Sequence, residues 1–262
     1  IRTLEILDEH GIDHAGTYAK EVYSRRIFVK YISGIRFAFL SYTYSTNGIP
    51  VTEGKPWLVN MLDETLIRAQ IEKARRVADV VVVLPHMGNE YEEKPSARFV
   101  SLARSFCEWG ADAVMASHPH VLQPPEFYTF TEEDGNERTS FIAYSMGNFT
   151  SGQRTAPRDA GGIFYLEYEK PNTQAEAELK RVSFTSTWVR FTDARGKFDI
   201  KVLPVYEALR DTEAGGRYNL RGQDLDRLRN VHRETTGKML GAPLPIEEIK
   251  PEYALNKIYR RY

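Results

Sequence analysis

The amino-acid sequence predicts an α/β fold: a parallel sheet covered on both faces, an antiparallel second sheet, and a helical C-terminal extension. Three observations carry this reading. Residues 79–84 form a continuous valine-rich run, the pattern of a parallel strand buried on both sides. The stretches on either side of it have helical spacing, and a second buried run at 113–116 completes a βαβ unit with an expected right-handed crossover. After residue 121, strand-like runs alternate with polar and charged turns, which is antiparallel patterning.

The elements follow in chain order. Leu4, Ile6 and Leu7 before Gly11 read as the last turns of an amphipathic helix closed by glycine, with Ile12 opening a strand. The β-branched and aromatic runs at 27–32 and 35–42 flank Ser33-Gly34 and predict a hairpin. Residues 43–55, with Asn47-Gly48 and Pro50, read as an irregular loop. Across 63–78, Leu66, Ile67, Ile71, Ala74 and Ala78 recur at helical spacing and are assigned to the core. Pro95 opens the next helix; Phe99, Leu102, Ala103 and Phe106 form its apolar stripe and Gly110 follows its end.

Strands at 127–130 and 139–144 flank the polar turn at 132–136, and further strands at 163–168, 179–189 and 198–205 predict the second sheet. Leu220, Leu225, Leu228 and Val231 restore helical spacing. A tail with Lys257, Tyr259, Arg260, Arg261 and Tyr262 ends the chain, a short basic end of the kind that touches anionic surfaces or stays solvated.

Composition excludes several classes. The 262 residues carry 35 Lys plus Arg against 36 Asp plus Glu, a formal charge of −1, which argues against nucleic acid as a partner. With 42% hydrophobic and 27% charged residues the chain is an ordinary globular one, not a disordered one. No run approaches the roughly 18 apolar residues of a membrane span. The single cysteine, Cys107, excludes an internal disulfide and falls on the apolar side of its helix. There is no P-loop, dinucleotide fingerprint or Gly-X-Ser-X-Gly elbow.

Chemistry concentrates just after the two predicted parallel strands. His86 follows the first and His118 and His120 follow the second, at the strand ends where open α/β sheets place ligands. In an extended segment His118 and His120 project to the same side, and neutral imidazoles suit Zn, Mn or Fe. A third strand end leads to Gly147-Asn148, where Asn148 is suited equally to bonding a ligand and to stabilising a left-handed turn. Gln153, Arg154 and Arg158 lie in the loop beyond, where an arginine fork suits a carboxylate or phosphate. His10 sits at a helix end; His14 and His232 have no ligand-like neighbours and are assigned to the surface.

Four segments resemble, in order and spacing, the bacterial capsule-synthesis family of CapA or PgsA type. They are Thr43-Tyr-Ser-Thr-Asn-Gly-Ile-Pro50, His86-Met-Gly-Asn-Glu-Tyr91, Gly110-Ala-Asp-Ala-Val-Met-Ala-Ser-His-Pro-His-Val-Leu-Gln-Pro124 and Tyr144-Ser-Met-Gly-Asn-Phe149. The resemblance implies a metallophosphoesterase-like α-β-β-α sandwich, of which this chain carries the C-terminal portion. It divides the chain into 1–168 as part of that domain, 169–207 as strands completing the second sheet, and 208–262 as the helical extension.

It also implies a site. His86 and His118 match ligands of one divalent metal (Mn, Fe or Zn) and His120 a ligand of a second. Ser117 stands where the superfamily has glycine. Glu90 matches an acid/base position, with orientation of His86 as its other reading, and Asn47, Tyr91, Asn148 and Arg154 are the expected substrate contacts. The family's Gly-Asp and Asn-Asn-His segments have no counterpart here, so the metal site is expected to be incomplete, with its remaining ligands on a preceding N-terminal segment. The implied function is biosynthesis of a capsule polymer such as poly-γ-glutamate at the cell envelope, either as a metal-dependent hydrolase or as a non-catalytic module. The implied partners are the anionic polymer or its synthase complex, and the implied anchor is a membrane segment ahead of this chain.

Overall fold

The computed structural model describes residues 1–194 and 197–255, so the basic tail from Lys257 to Tyr262 lies outside the described residues. Helix α1 (Arg2–Glu9) ends at His10, whose Nδ1 bonds the Ile6 carbonyl oxygen at 2.9 Å. The strand expected at Ile12 does not form. Gly11 turns the chain through a left-handed conformation (φ 64°), Ile12 is left 53% exposed, and no neighbouring strand takes up its backbone.

A short helix, α2 (Glu21–Ser24), precedes the hairpin β1 (Phe28–Ile32) and β2 (Ile35–Thr43), which pair antiparallel. Ser33 and Gly34 both have positive φ, 48° and 90°, as a tight two-residue hairpin turn requires. Helix α3 (Glu64–Arg75) is capped by Asp63, whose side chain accepts from the Leu66 N–H at 2.9 Å. Ile67, Ile71 and Ala74 are buried, but Leu66, expected on the same face, is 39% exposed. One residue before Ile67 on a 3.6-residue period, it points roughly a quarter turn off the stripe.

The chain continues through β3 (Val80–His86), α4 (Ala97–Glu108), β4 (Ala113–Met115), β5 (Glu126–Thr131) and β6 (Glu137–Ala143). Among the described residues six strands form one sheet in the order β1-β2-β3-β4-β6-β5, with β2, β3, β4 and β6 mutually parallel. The hairpin after residue 121 thus extends the first sheet. The second sheet takes β7 (Ala160–Glu169), β8 (Glu178–Ala194), β9 (Lys197–Pro204) and β10 (Tyr253–Ala254). The 17-residue β8 is shared: β7 pairs along one edge, while β9 and β10 occupy successive stretches of the other.

Period two along β3 sets the layering. Val81 and Val83 pack with Ile67, Ile71, Val100, Phe106 and the buried Cys107 of α3 and α4. Val80 and Val82 face the other way, into a cluster with Val182, Phe184 and Tyr253 of the second sheet. Phe141 joins the layers, its ring centroid 5.3 Å from Phe127 and 6.0 Å from Phe164. On the far side of the second sheet, Trp188 and Leu203 pack on α5 (Val205–Glu213) and α6 (Gln223–Leu240). The result is the four-layer α-β-β-α sandwich expected, with antiparallel second sheet and helical extension.

Three local assignments change from Val205 onward. Val205 begins α5 instead of ending a strand, and Leu220 is buried ahead of α6. His232, assigned to the surface, is fully buried: its Nε2 lies 3.1 Å from the Pro245 carbonyl oxygen and its Nδ1 3.3 Å from the Tyr253 hydroxyl. Residues after α6 fold back over that helix face, which no local pattern predicts. Among the described residues no helix is long and apolar enough to cross a membrane.

Candidate metal centre

The parallel strands β2, β3, β4 and β6 end on one edge of the sheet, and the segments that leave them are tied together by backbone hydrogen bonds. Tyr44 N–H donates to His86 O at 3.1 Å, Met87 N–H to Ser117 O at 2.8 Å, Tyr91 N–H to Pro119 O at 2.8 Å and Gln123 N–H to Ser145 O at 3.2 Å. Each loop is therefore held by its neighbour, and side chains on different loops are fixed relative to one another. The opposite edge is closed by ion pairs: Asp112 holds Arg75 at 2.9 Å and Arg138 at 2.5 Å, and Asp79 holds Arg36 and Lys170, both at 2.8 Å.

At the C-terminal edge the three expected histidines converge. The His86 and His118 ring centroids are 4.7 Å apart, and those of His118 and His120 are 6.1 Å apart. Ligand atoms of Glu90, His118 and His120 all lie within 4.8 Å of one another. The route to this convergence differs from the extended segment expected. His118 and His120 both have positive φ, 119° and 62°, and Tyr91 has 67°. Such backbone costs on the order of 1–3 kcal/mol per residue and survives where surrounding contacts enforce it, typically at functional sites. Gly88 (φ 132°) belongs to the same fold of loops: a Cβ there would meet Pro119 Cγ at 2.7 Å.

Hydrogen bonding sets the form of His120. The Asn148 Nδ2 donates to the Arg158 carbonyl oxygen at 2.7 Å, which fixes the amide so that Oδ1 faces His120 Nδ1 at 2.9 Å. Oδ1 only accepts, so Nδ1 is the donor in this bond, and Nε2 is the ring nitrogen left to ligate a metal. Asn148 is thus an orienting residue here, and the left-handed turn considered for it belongs to Gly147 (φ 69°). Asn148→Ala is expected to lower divalent-metal affinity roughly 10- to 100-fold, the usual effect of losing such a partner. A chelator-competition titration reads this directly; unchanged affinity would count against His120 as a ligand.

His86 and His118 are biased toward the neutral form. Burial, then the neighbouring His118 and His120, holds His86 below the ordinary imidazole value of 6.5. Burial lowers His118 as well, with Glu90 acting in the opposite sense. The folded chain therefore takes up these protons less readily than the unfolded one. Their contribution to stability is complete above about pH 6.5 and diminishes as the pH falls below it. Metal affinity is expected to fall over the same range, because protons compete for the ring nitrogens. An apparent metal Kd that stays flat from about pH 7.5 to about pH 5 would contradict imidazole ligation.

The donor set suits a divalent cation: the His118 and His120 imidazoles and the Glu90 carboxylate form one ligand-atom group, and His86, outside that group, has its ring centroid 4.7 Å from that of His118. Among the described residues Glu90 is the carboxylate in this cluster, and it is exposed. Of the expected substrate contacts, Tyr91 lies at the site, its ring centroid 6.0 Å from that of His120. Asn47 is exposed in a tight turn (φ 52°), with its N–H on Ser45 Oγ at 3.0 Å. Arg154 is turned to the second sheet, its guanidinium carbon 3.5 Å from the Phe191 ring centroid and 5.6 Å from that of Phe198.

Two contacts escaped the sequence reading. Tyr44 lies over both His118 (4.6 Å) and His86 (6.3 Å), and Ser117 Oγ is 3.3 Å from His86 Nδ1. The position of Tyr44, directly after a predicted strand and opposite His86, is the signal that would have found it.

The sequence model of the bacterial capsule synthesis protein family (PGA_cap) matches residues 1–153, more than half of the chain. The chain belongs to this family. The "Capsule biosynthesis protein CapA" of Bacillus anthracis is 32% identical over 169 residues, which cover 62% of this chain and 39% of that protein. The "PGA biosynthesis protein CapA" of Bacillus subtilis (strain 168) is 32% identical over 166 residues, 62% of this chain and 41% of that protein. The chain thus spans about two fifths of the length of these curated capsule-synthesis relatives.

Solved structures overlap it only partially. The NAD nucleotidase (NadN) of Haemophilus influenzae gives a TM-score of 0.37 at 12% identity, covering 81% of this chain and 37% of that one. A 5'-nucleotidase precursor from Thermus thermophilus gives 0.30 at 18% identity, covering 68% and 29%. All four motif segments that carry the family likeness fall within the matched residues, and three of them form the edge where His86, His118, His120 and Asn148 meet.

Proposed function

We propose that this chain supplies part of a divalent-metal site in a capsule-polymer biosynthesis protein of the cell envelope, and that the site performs metal-dependent hydrolysis. The observation that carries the reading is the grouping of Glu90, His118 and His120 ligand atoms within 4.8 Å, with the His86 ring 4.7 Å from that of His118, at the C-terminal ends of β3 and β4. His86, His118 and His120 would hold the metal, Mn, Fe or Zn. A bound ion would supply a Lewis acid that polarises a carbonyl or phosphoryl oxygen. Glu90, the exposed member of the cluster, would exchange a proton with the reacting group, and Tyr91 would offer its hydroxyl to the bound polymer. Poly-γ-glutamate is the proposed polymer, in keeping with the printed name of the Bacillus subtilis relative.

A second reading is favoured by one observation: among the described residues the cluster holds a single carboxylate. A two-ion hydrolytic centre needs further oxygen ligands, so a non-catalytic module binding polymer or synthase through the same cleft is the alternative. Metal analysis together with hydrolysis of a generic phosphodiester and of poly-γ-glutamate separates the two. Metal binding with turnover supports the hydrolase; metal and polymer binding without turnover supports the module; absence of both metal and turnover sinks the enzymatic reading.

A further inference from the structure

The loop after Asn148 carries two arginines, and the structure separates their fates. Arg154 is stacked on Phe191 and Phe198 of the second sheet. Arg158 is turned toward the histidines: its guanidinium carbon is 4.8 Å from the ring centroid of Tyr91, which in turn lies against His120. Its backbone is tied to the same histidine, because Asn148 bonds the Arg158 carbonyl oxygen with one end of its amide and His120 with the other. A turn closed by Arg158 N–H on Thr155 O at 2.8 Å holds it in place. Side chain and main chain of Arg158 are therefore both one residue removed from a metal-site imidazole.

Among the described residues no carboxylate forms an ion pair with Arg158, and its side-chain hydrogen bond is to the Thr155 hydroxyl. The adjacent Asp159 does not serve, since it is held by Arg227 and Trp188. A half-buried guanidinium with one face on a tyrosine ring and most of its N–H groups free is a fork for a planar anion with two oxygens. Gln153, whose Nε2 lies 3.5 Å from the Tyr91 hydroxyl, and Tyr91 itself add neutral polar groups beside it. One positive charge among neutral donors suits a singly charged carboxylate better than a phosphate dianion.

We propose that Arg158, held by Tyr91 and Asn148, is the carboxylate receptor of this site and seats a side group of the polymer one ring away from His120. This rests on the polymer reading above and assigns a residue to it. The 262-residue chain is titrated calorimetrically with a short γ-linked glutamate oligomer, with the uncharged carboxamide of that oligomer, and with inorganic phosphate. Arg158→Gln is expected to weaken oligomer binding roughly 10- to 100-fold. It should leave divalent-metal affinity and carboxamide binding unchanged, and Arg154→Gln should stay near the parent. Arg158→Lys, which keeps the charge but not the fork, should recover only part of the loss.

Equal oligomer affinity in the parent and Arg158→Gln would overturn the assignment while leaving the polymer reading intact. Dependence on Arg158 for phosphate but not for the oligomer would overturn the carboxylate assignment. A parent chain that binds metal but no oligomer would overturn the polymer reading and this ligand with it.

Discussion

His118→Ala should lower the affinity of the chain for Zn2+ or Mn2+ by at least about 100-fold, beyond the 10- to 100-fold typical of losing a mere orienting partner. His118 is the centre of the cluster: its ring is 4.6 Å from Tyr44, 4.7 Å from His86 and 6.1 Å from His120. It also shares the 4.8 Å ligand-atom group with Glu90 and His120, so its removal takes one donor out of a group of three while the backbone bonds between the β3 and β4 loops remain. The fold should persist, because burial already disfavours charge on this imidazole and an apolar replacement adds no unmatched group. Competition with a chromogenic chelator measures the loss, and His10→Ala at the exposed end of α1 serves as the control. Equal affinities for the two variants would remove His118 from the ligand set.

Asp159→Ala should be the costliest change away from the cluster, about 3 kcal/mol, near the lower end for breaking a buried ion pair. Asp159 is 4% exposed and accepts from Trp188 Nε1 at 3.1 Å, from Arg227 Nε at 2.8 Å and from Arg227 Nη2 at 2.6 Å. Burial works against the Arg227 charge, and its hydrogen bonds to the Asp159 and Glu234 carboxylates, together with their negative charge, more than offset it, raising its proton affinity. Without Asp159, the Trp188 indole N–H loses its acceptor and half of the Arg227 fork is unmatched. The pair with Glu234, at 2.7 and 2.9 Å, keeps the loss at that lower end. Thermal unfolding should shift down by roughly 6–12 °C for a chain of this size. Asp159→Asn, which retains an acceptor for Trp188, should lose less. A Tm within about 1 °C of the parent would show that the pair contributes nothing net.

Much of the fold was legible because its signals are local. The valine run of β3, the hairpin at Ser33-Gly34 and the helix after Asp63 are each specified within a few residues, and each forms where periodicity or turn residues place it. His86, His118 and His120 were legible for a related reason: strands buried on both faces have a defined exit edge, and all three residues follow such strands. Ile12, Leu66 and His232 were misread because burial depends on what covers a residue. His232 is enclosed by Pro245 and Tyr253, which arrive from beyond the end of α6.

The sequence by itself determined the α/β class, the two-sheet order of elements, the family and the histidines at the strand ends, since periodicity, turn chemistry and motif spacing are properties of neighbouring residues. Only the tertiary structure decided what those histidines meet. Tyr44 over two imidazoles, Asn148 setting the His120 proton across 28 residues, and the opposite turns of Arg154 and Arg158 arise from loops on different strands. The physical reason is that a strand edge fixes where a side chain leaves the sheet. Its hydrogen-bond partner, its protonation and its open face are set by segments that only folding brings within reach.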